Sequence, residues 1–426
     1  MLISKVRQKI LNKISYQLSN QFIRNIGWLG GAELVNRMFR LGTTVVLART
    51  LSPQDYGLAA IVLTTQDITN VFTLNSGIGN KIIHADEKDV ETLANTAYWL
   101  NWIICSALFT LQCIAAYPIA FFYNEQKLIL PICTVALIYL MIPIFSTQNA
   151  FNNRENKLKV TAICNALQSI TANIAAISFA LFGFGMWSLV LPAVLTTPIW
   201  IVVNYKYQPW RPSGEYSLHR WQEIVKYGKD ILGSEILDKV RANLDYFLIG
   251  RFLGVEALGL YFFAFNAGLG ISLNVINAMV WPLFPHLCAA RQDSVQFKNR
   301  YFGSLRTIAL VIIPLVLLQS SLAPFYVPIV FSSKWVAAIP ILVIICLSAI
   351  PRPFAAAAAM LLQAVDKGWI NLCWSMTFTL VFAISLLIGM QWGSIGVATA
   401  VLITHAGAMP IFSIWATRYV LAKERV

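Results

Sequence analysis

Twelve long apolar stretches, separated by short polar segments, dominate the pattern of this sequence. Each stretch holds the ~20 residues that a helix needs to cross about 30 Å of hydrocarbon. The stretches are continuously apolar rather than alternating, so they predict membrane-spanning helices and exclude a β-barrel. The predicted spans are 25–50, 57–80, 92–122, 128–150, 158–182, 185–206, 229–253, 257–282, 303–330, 336–362, 370–391 and 394–417.

A pattern near the start of the chain returns 202 residues later without a gap. The first copy matches through Gly31, Glu33, Leu34, Arg37, Arg49, Leu51, Gly57 and Leu58, and the second through Gly233, Glu235, Ile236, Lys239, Arg251, Leu253, Gly259 and Leu260. Six spans per copy is an even number, so both copies enter the membrane in the same direction. The sequence therefore predicts an all-α integral membrane protein with about 12 transmembrane helices. These form two six-helix lobes related by a parallel pseudo-two-fold repeat.

The polar segments divide the chain into five parts. These are a basic amphipathic N-terminal segment at 1–24, an N-lobe at 25–206, a cytoplasmic inter-lobe linker at 207–228, a C-lobe at 229–417 and a cytoplasmic tail at 418–426. The N-terminal segment lacks a continuous apolar core and a small-residue cleavage site, so no cleavable signal is predicted. It is interpreted either as a helix lying on the membrane surface or as a plain topology-setting tail.

Composition and charge place the chain in the membrane and set its orientation. Of its 426 residues, 58% are hydrophobic and only 12% are charged, whereas soluble domains carry about 25% charged residues. The net charge of +13 comes from polar segments between spans, so it does not indicate nucleic-acid binding. Segments on the side of the termini hold 23 Lys and Arg against 4 on the other side. This bias predicts a multi-pass membrane protein with cytoplasmic termini.

The first span carries charges that a lipid-facing helix should not carry. Glu33, Arg37 and Arg40 are spaced i, i+4 and i+7, so a helix stacks them along one face. An unpaired ion at the bilayer centre costs several kcal/mol. This face is therefore expected to meet water, protein or a polar ligand.

The seventh span repeats this feature more strongly. Five charged residues fall within an arc of roughly 160° at 100° per residue: Glu235, Asp238, Lys239, Arg241 and Asp245. Ion pairs at i, i+4 are available between Glu235 and Lys239 and between Arg241 and Asp245. Such pairs either hold the two lobes together or line a water-filled cavity between them. The matching position of the two charged helices favours the cavity.

Further polar residues lie inside predicted spans. Asp67 and Asn70 in span two, and Asn165 and Gln168 in span five, serve either hydrogen bonds between helices or a pathway. Arg352 lies between two prolines that break the helix and leave free carbonyls. It is a functional candidate by default, unless the span is shifted and places it near an interface.

Chemistry-bearing motifs are otherwise scarce. His405 in span twelve is either a proton relay or a buried, hydrogen-bonded histidine. The seven cysteines include no CxxC pair and are interpreted as small buried hydrophobes. No Walker motif, HExxH or nucleophile elbow occurs, so no ATP hydrolysis, catalytic site, metal or cofactor is predicted.

Two motifs resemble those of a known family. The segment from Leu47 to Gly57 (LARTLSPQDYG) resembles the "AR-LSP-DYG" signature of polysaccharide-transporter flippases. The segment from Gln148 to Lys157 (QNAFNNRENK) resembles their "Q-L-R-KF" loop, with more asparagine. The chain is thereby most similar to Wzx-type O-antigen and exopolysaccharide flippases of the multidrug/oligosaccharidyl-lipid/polysaccharide exporter superfamily.

The resemblance implies a V-shaped bundle that works by alternating access. It implies a cargo of oligosaccharide on undecaprenyl diphosphate, moved out of the cytoplasmic leaflet for the export of a surface polysaccharide such as O-antigen, exopolysaccharide or a teichuronic-acid-like polymer. A diphosphate needs cations, and Arg donates two hydrogen bonds to phosphate. Arg37, Arg40 and Arg352 are the residues predicted to bind it.

Other cavity residues receive supporting roles in this hypothesis. Glu33, Lys239 and Arg241 join the cavity, and Asn70, Asn165 and Gln168 meet sugar hydroxyls. The candidates for ion coupling are Asp67, Glu235, Asp238 and Asp245. The expected partners are membrane lipids and, beside the cargo, a polysaccharide polymerase with its chain-length machinery; the chain is expected to be a monomer.

Three alternative functions compete with the flippase hypothesis. A multidrug antiporter of the same superfamily would favour an acidic cavity, and the intramembrane acids here equal the cations in number. A membrane glycosyltransferase or polymerase would need a large outside loop, which no outside segment is long enough to form. A non-transporting scaffold of a glycan assembly complex is compatible with the same sequence.

Overall fold

The computed structural model describes residues 39–73, 75–214, 216–291 and 293–423. Within these ranges the chain is helical and contains no strand. The predicted basic segment 1–24, together with Glu33 and Arg37, lies outside the described residues.

The helices of the first half follow the predicted spans closely. They are α1 (39–50 among the described residues), α2 (Pro53–Val71), α3 (Asn75–His84), α4 (Val90–Tyr123), α5 (Ile129–Arg154), α6 (Leu158–Leu181), α7 (Trp187–Thr196) and α8 (Pro198–Tyr207). Span two is divided between α2 and α3, and span six between α7 and α8. A 3-10 turn, Gln126–Leu128, precedes α5.

The second half repeats this arrangement with more interruptions. Its helices are α9 (Trp221–Phe252), α10 (Val255–Ala264), α11 (Gly270–Val280), α12 (Leu283–Cys288), α13 (Ser294–Tyr326), α14 (Ile339–Leu347), α15 (Arg352–Ala364), α16 (Gly368–Gly389) and α17 (Gly393–Lys423). A π-turn at Phe265–Leu269 joins α10 to α11, another at Val327–Phe331 ends span nine, and 3-10 turns cover Ser333–Ala338 and Met390–Trp392. The end of the predicted linker, from Trp221, is already helical and belongs to α9.

Seven helical stretches among the described residues are long and apolar enough to cross a membrane. Spans two, seven and eight fall short because they carry charges or are broken, and span one is described only from residue 39. Spans two and eight are the second span of each repeat. An interrupted helix therefore occupies the same place in both copies among the described residues.

Large apolar side chains cover one face of the more apolar helices. On α13, Leu310 and Leu317 are one exposed pair seven residues apart, and Val311 and Leu318 are another. This spacing returns to the same face of a helix every two turns. Exposed apolar faces of this kind are compatible with hydrocarbon, where every backbone group is satisfied inside the helix.

Two compact units emerge from the contacts. The first contains the chain up to Thr50, Thr69–Pro118 and Ile129–Gly233; the second contains Leu51–Ile68, Ile119–Leu128 and Ser234–Val426. Most of α2 and the end of α4 are thus packed within the second unit, although both precede the inter-lobe linker in sequence.

In the first unit, the segment that leads into α9 packs onto one apolar cluster. Ile224, at the start of α9, is fully buried among residues of α3, α4 and α5. Arg220 pairs with Glu223 at 2.5 Å and with Asp89 at 2.8 Å. The hydrogen bond from Arg220 holds the pKa of the Glu223 carboxyl below its usual value. The segment before α9 is therefore fixed by both apolar packing and ion pairs.

In the second unit, α2 and α10 cross in backbone contact. A Cβ added at Gly57 would lie 1.9 Å from the carbonyl oxygen of Val255, and one added at Gly259 would lie 1.7 Å from that of Pro53. The repeat offset relates Gly57 to Gly259 and Pro53 to Val255, so the contact is reciprocal. Only glycine permits such an approach of two helices.

An aromatic cluster surrounds this crossing. The ring of Trp335 stacks on Phe263 with centroids 4.0 Å apart and meets Tyr56 edge-on at 4.9 Å. Lys334 donates from Nζ to the carbonyl oxygen of Leu51 at 2.5 Å. These contacts fix the N-terminal end of α2, which carries the second half of the Leu47–Gly57 motif, within the second unit.

Candidate functional site

The polar residues of the second unit gather around α9. This helix supplies Asp238, Lys239, Arg241 and Asp245, and other helices of the unit bring partners to each of them. We call this group the α9 cluster: Asp67, Asp238, Lys239, Arg241, Asp245, Tyr246, Tyr261, Arg352 and Ser375.

Lys239 pairs across helices rather than along its own. Its Nζ lies 3.1 Å from Oδ2 of Asp67 on α2, and both side chains are about half exposed, at 44% and 55%. The sequence offered Glu235 one turn earlier as a partner. Lys239 pairs with Asp67 instead of Glu235, so an exposed ion pair joins α9 to α2.

Arg241 is held by two different groups. One terminal nitrogen donates to Oδ1 of Asp238 at 2.5 Å, and the other donates to the hydroxyl of Ser375 on α16 at 2.7 Å. The Arg241 side chain is 26% exposed and that of Asp238 is 60% exposed. The expected i, i+4 pairing with Asp245 is replaced by this i, i+3 pairing.

Asp245 is the buried carboxylate of the cluster, only 5% exposed. Its Oδ2 accepts a hydrogen bond from the hydroxyl of Tyr261 at 2.8 Å, and its Oδ1 accepts one from the backbone N–H of Tyr246 at 2.9 Å. The rings of Tyr246 and Tyr261 meet edge-on at 5.8 Å. These donors satisfy a charge that burial would otherwise make costly.

Arg352 begins a helix after a break in span ten. Helix α14 ends at Leu347, and α15 starts at Arg352, which confirms that the prolines interrupt the span. Arg352 is half-buried, within electrostatic range of Asp245, Tyr261 and Arg241. Its Nε is buried and has no hydrogen-bond partner among the described residues. Arg352 thus joins the α9 cluster from the start of α15.

His405 lies in an apolar slot on α17. Its Nδ1 is 2.6 Å from the carbonyl oxygen of Val401, and its ring meets Phe378 and Phe382 edge-on at 5.5 Å each. The ring is almost fully buried. The structure therefore shows the buried, hydrogen-bonded histidine that was one of the two interpretations of this residue.

The candidates of the first unit are not gathered in this way. Arg40 and Asn70 are exposed, and their backbone carbonyls accept hydrogen bonds from Thr44 and Thr73. Asn165 is exposed, whereas Gln168 accepts a hydrogen bond from the indole N–H of Trp200 at 2.7 Å. Gln168 thus serves a contact between helices of its own unit.

Sequence reasoning missed three members of the α9 cluster: Tyr246, Tyr261 and Ser375. All three lie in stretches that are apolar overall, so the hydrophobic pattern hides them. The available signal was that a tyrosine hydroxyl inside a membrane span needs a polar partner. Asp245 is that partner for Tyr261.

Arg154, from the asparagine-rich motif after span four, has a structural role. One terminal nitrogen donates to the carbonyl oxygens of Ile82, Ile83 and Ala85 at 2.8, 3.1 and 2.5 Å. These carbonyls lie at the C-terminal end of α3, where intrahelical partners are missing. The motif therefore fixes the end of α3 on the cytoplasmic side predicted from charge.

Comparisons with known proteins place this arrangement in context. Residues 46–340 match the model of a family described as polysaccharide biosynthesis protein. The teichuronic acid biosynthesis protein TuaB of Bacillus subtilis is 27% identical, over 76% of this chain and 67% of that protein. The lipopolysaccharide biosynthesis protein WzxC of Escherichia coli is 24% identical, over 91% of this chain and 79% of that protein.

The fold also matches a solved structure. The lipid II flippase MurJ, in an inward closed conformation, superposes with a TM-score of 0.78 at 13% identity, over 92% of this chain and 87% of that one. At this identity the likeness concerns the fold alone. It confirms the predicted class, an all-α membrane fold.

Proposed function

Because this chain belongs to the polysaccharide biosynthesis protein family, we propose that it is a flippase for lipid-linked oligosaccharides. The cargo would be an oligosaccharide on undecaprenyl diphosphate, moved from the cytoplasmic to the outer leaflet by alternating access. Two relatives are named for the biosynthesis of teichuronic acid and of lipopolysaccharide. Both names concern surface polysaccharides, which supports a glycan cargo.

The observation that carries the proposal is the α9 cluster. Lys239, Arg241 and Arg352 bring three cations together within membrane-spanning helices of one unit. Such charges are costly in hydrocarbon and mark substrate or ion pathways. A diphosphate is the part of the cargo least able to cross a low-dielectric region unaided, and guanidinium and ammonium donors are its natural partners.

The proposal includes no catalytic step. The chain would act as a secondary transporter in the bacterial inner membrane, with both termini in the cytoplasm and as a monomer. Asp67, Glu235, Asp238 and Asp245 are the carboxylates available for coupling to an ion. A polysaccharide polymerase and its chain-length machinery would receive the cargo on the outer side.

A second candidate function rests on the same carboxylates. Asp67, Asp238 and Asp245 give the α9 cluster as many acids as cations, and Glu235 is a further carboxylate on α9. An acidic site favours a cationic substrate, so a multidrug antiporter is the alternative. It predicts that overproduction of the protein raises resistance to cationic drugs.

Deletion and complementation separate the two functions. A cell without this gene should lose a surface polysaccharide and accumulate its lipid-linked precursor, and the returned gene should reverse both effects. Extraction of lipid-linked intermediates and staining of surface glycan measure these changes. Unchanged surface glycan in the deletion strain, together with increased drug resistance on overproduction, would support the antiporter and contradict the flippase.

A further inference from the structure

The charges of the α9 cluster are balanced within the structure. Lys239 is paired with Asp67 and Arg241 with Asp238, and the cluster holds one further cation, Arg352, and one further carboxylate, the buried Asp245. A site whose cations are all matched by carboxylates offers little net attraction to an incoming anion. An anionic cargo must therefore replace a carboxylate on at least one cation.

The three carboxylates differ in how readily they can be replaced. The side chains of Asp67 and Asp238 are 55% and 60% exposed in their ion pairs, and charged side chains of membrane helices face the interior of the bundle or a water-filled cavity. Such a carboxylate loses little when its cation is taken by another anion, because exposed ion pairs contribute little. Water then solvates the freed group.

Asp245 cannot be released in the same way. It is buried and accepts hydrogen bonds from Tyr261 and from the N–H of Tyr246. Removal of the compensating cation would leave a buried charge without a counter-ion, which is strongly destabilising. Because Lys239 and Arg241 are held by Asp67 and Asp238, Arg352 is the cation of the cluster left to balance Asp245.

We propose that Asp67 and Asp238 are placeholders for the anionic head of the cargo. They pair with Lys239 and Arg241 in the structure, and phosphate oxygens of the cargo take these cations when it binds. Arg352 remains with Asp245 as part of the scaffold. This inference rests on the proposed diphosphate cargo, and it moves phosphate binding from Arg352 to Lys239 and Arg241.

The placeholders also set the selectivity of the site. A neutral or cationic head cannot displace a carboxylate from Lys239 or Arg241, so the ion pairs reject it. A diphosphate carries enough oxygens to replace both carboxylates. A monophosphate has fewer oxygens to share between Lys239 and Arg241. Removal of the carboxylates should therefore strengthen anion binding and relax the preference for the diphosphate.

Binding of a defined probe tests the proposal. The full-length protein in nanodiscs is titrated with undecaprenyl diphosphate, and tryptophan fluorescence reports saturation. Asp67→Asn and Asp238→Asn keep the shape of the side chain and remove its charge. Each is expected to lower the half-saturating concentration about two- to five-fold, as the loss of one exposed competing ion pair predicts.

The cations should respond in the opposite direction. Lys239→Gln and Arg241→Gln are expected to raise the half-saturating concentration about ten-fold or more, as the loss of a hydrogen bond to a charged group predicts. Arg352→Gln should lower the thermal stability and should weaken binding less than Lys239→Gln and Arg241→Gln do. A parallel titration with undecaprenyl monophosphate should show a smaller preference for the diphosphate in the two Asn variants.

A matched control is available in the same unit. Asp366 pairs with Arg291 outside the α9 cluster and is also exposed, so Asp366→Asn should bind the probe as the wild type does. Unchanged or weaker binding by both Asp67→Asn and Asp238→Asn would overturn the placeholder proposal. So would a large loss of affinity in Arg352→Gln with normal affinity in Lys239→Gln and Arg241→Gln.

These outcomes are separate from failure of the proposed function. If the deletion strain keeps its surface glycan and the wild-type protein does not bind the probe, the flippase function is wrong and the inference falls with it. If complementation succeeds and the wild-type protein binds the probe, only the behaviour of the variants decides about the placeholders.

Discussion

Asp245 shows how a single residue in the membrane can carry a charge. The burial of its carboxylate is compensated by one hydroxyl and one backbone N–H. The charge of Asp245 was visible in the sequence, but its partner was not. The local rule pairs it with Arg241 four residues earlier. In the structure Arg241 pairs with Asp238 instead. Asp245 accepts a hydrogen bond from Tyr261, because packing of α10 brings the tyrosine hydroxyl within 2.8 Å of Oδ2 of Asp245.

Tyr261→Phe removes this donor while keeping the ring. We expect the free energy of unfolding to fall by about 1.5–3 kcal/mol, the contribution of a hydrogen bond to a charged group. Thermal unfolding in detergent measures it. Tyr301→Phe is the control, because its hydroxyl lies 2.9 Å from that of Thr417 and such a neutral pair contributes about 0.5–1.5 kcal/mol. Equal losses in the two variants would contradict an ionised Asp245.

At the scale of elements, the positions of helices were predictable and their partners were not. Hydrocarbon requires continuous apolar helices, so each span is visible in the sequence by itself. The break between α14 and α15 was also visible, because proline cannot continue the hydrogen-bond ladder of a helix. The pairing of α2 with α9 through Asp67 and Lys239 joins residues 172 positions apart. No local pattern specifies that contact.

The crossing of α2 and α10 makes a sharp prediction at this scale. Gly57→Ala and Gly259→Ala each place a Cβ less than 2 Å from a carbonyl oxygen of the other helix. We expect either change to lower the free energy of unfolding by about 1–3 kcal/mol or more, as overpacking does. Thermal unfolding of the purified variants measures the loss.

Gly407→Ala is the matched control for the glycine variants. Gly407 lies within α17, and no atom lies within 4 Å of an added Cβ there. This substitution should stabilise the helix by about 0.5–1 kcal/mol, because glycine is a poor helix former. If Gly57→Ala and Gly259→Ala were as stable as Gly407→Ala, the close crossing would be wrong.

At the scale of the whole molecule, the hydrophobic pattern predicted the all-α class, and two motifs indicated the family. Both are confirmed, by the fold match and by the family model. The site residues remain a proposal, and the structure changes which of them belong together. Lys239, Arg241 and Arg352 meet in one unit, whereas Arg40, Asn70 and Asn165 are exposed in the other. The sequence predicted diphosphate binding by Arg40 together with Arg352, because it shows the charge of a residue but not its neighbours.

Membrane orientation is testable with two matched turns. Asn124 and Asn156 are both exposed and both adopt a left-handed backbone, with φ of 54° and 55°. The positive-inside rule places Asn124 outside and Asn156 in the cytoplasm. In a variant without its seven native cysteines, an impermeant maleimide should label Asn124→Cys in intact cells. It should label Asn156→Cys only after permeabilisation, and the reverse pattern would invert the topology.

The reciprocal glycine contact also restricts how this protein can diverge. Each repeat supplies one glycine and one carbonyl to the crossing, so neither copy can gain a side chain there without a clash in the other. A chimaera that takes its first half from one relative and its second from another should assemble only if both halves keep glycine at this position. The two halves can therefore change independently over most of their surface, but Gly57 and Gly259 must be kept together.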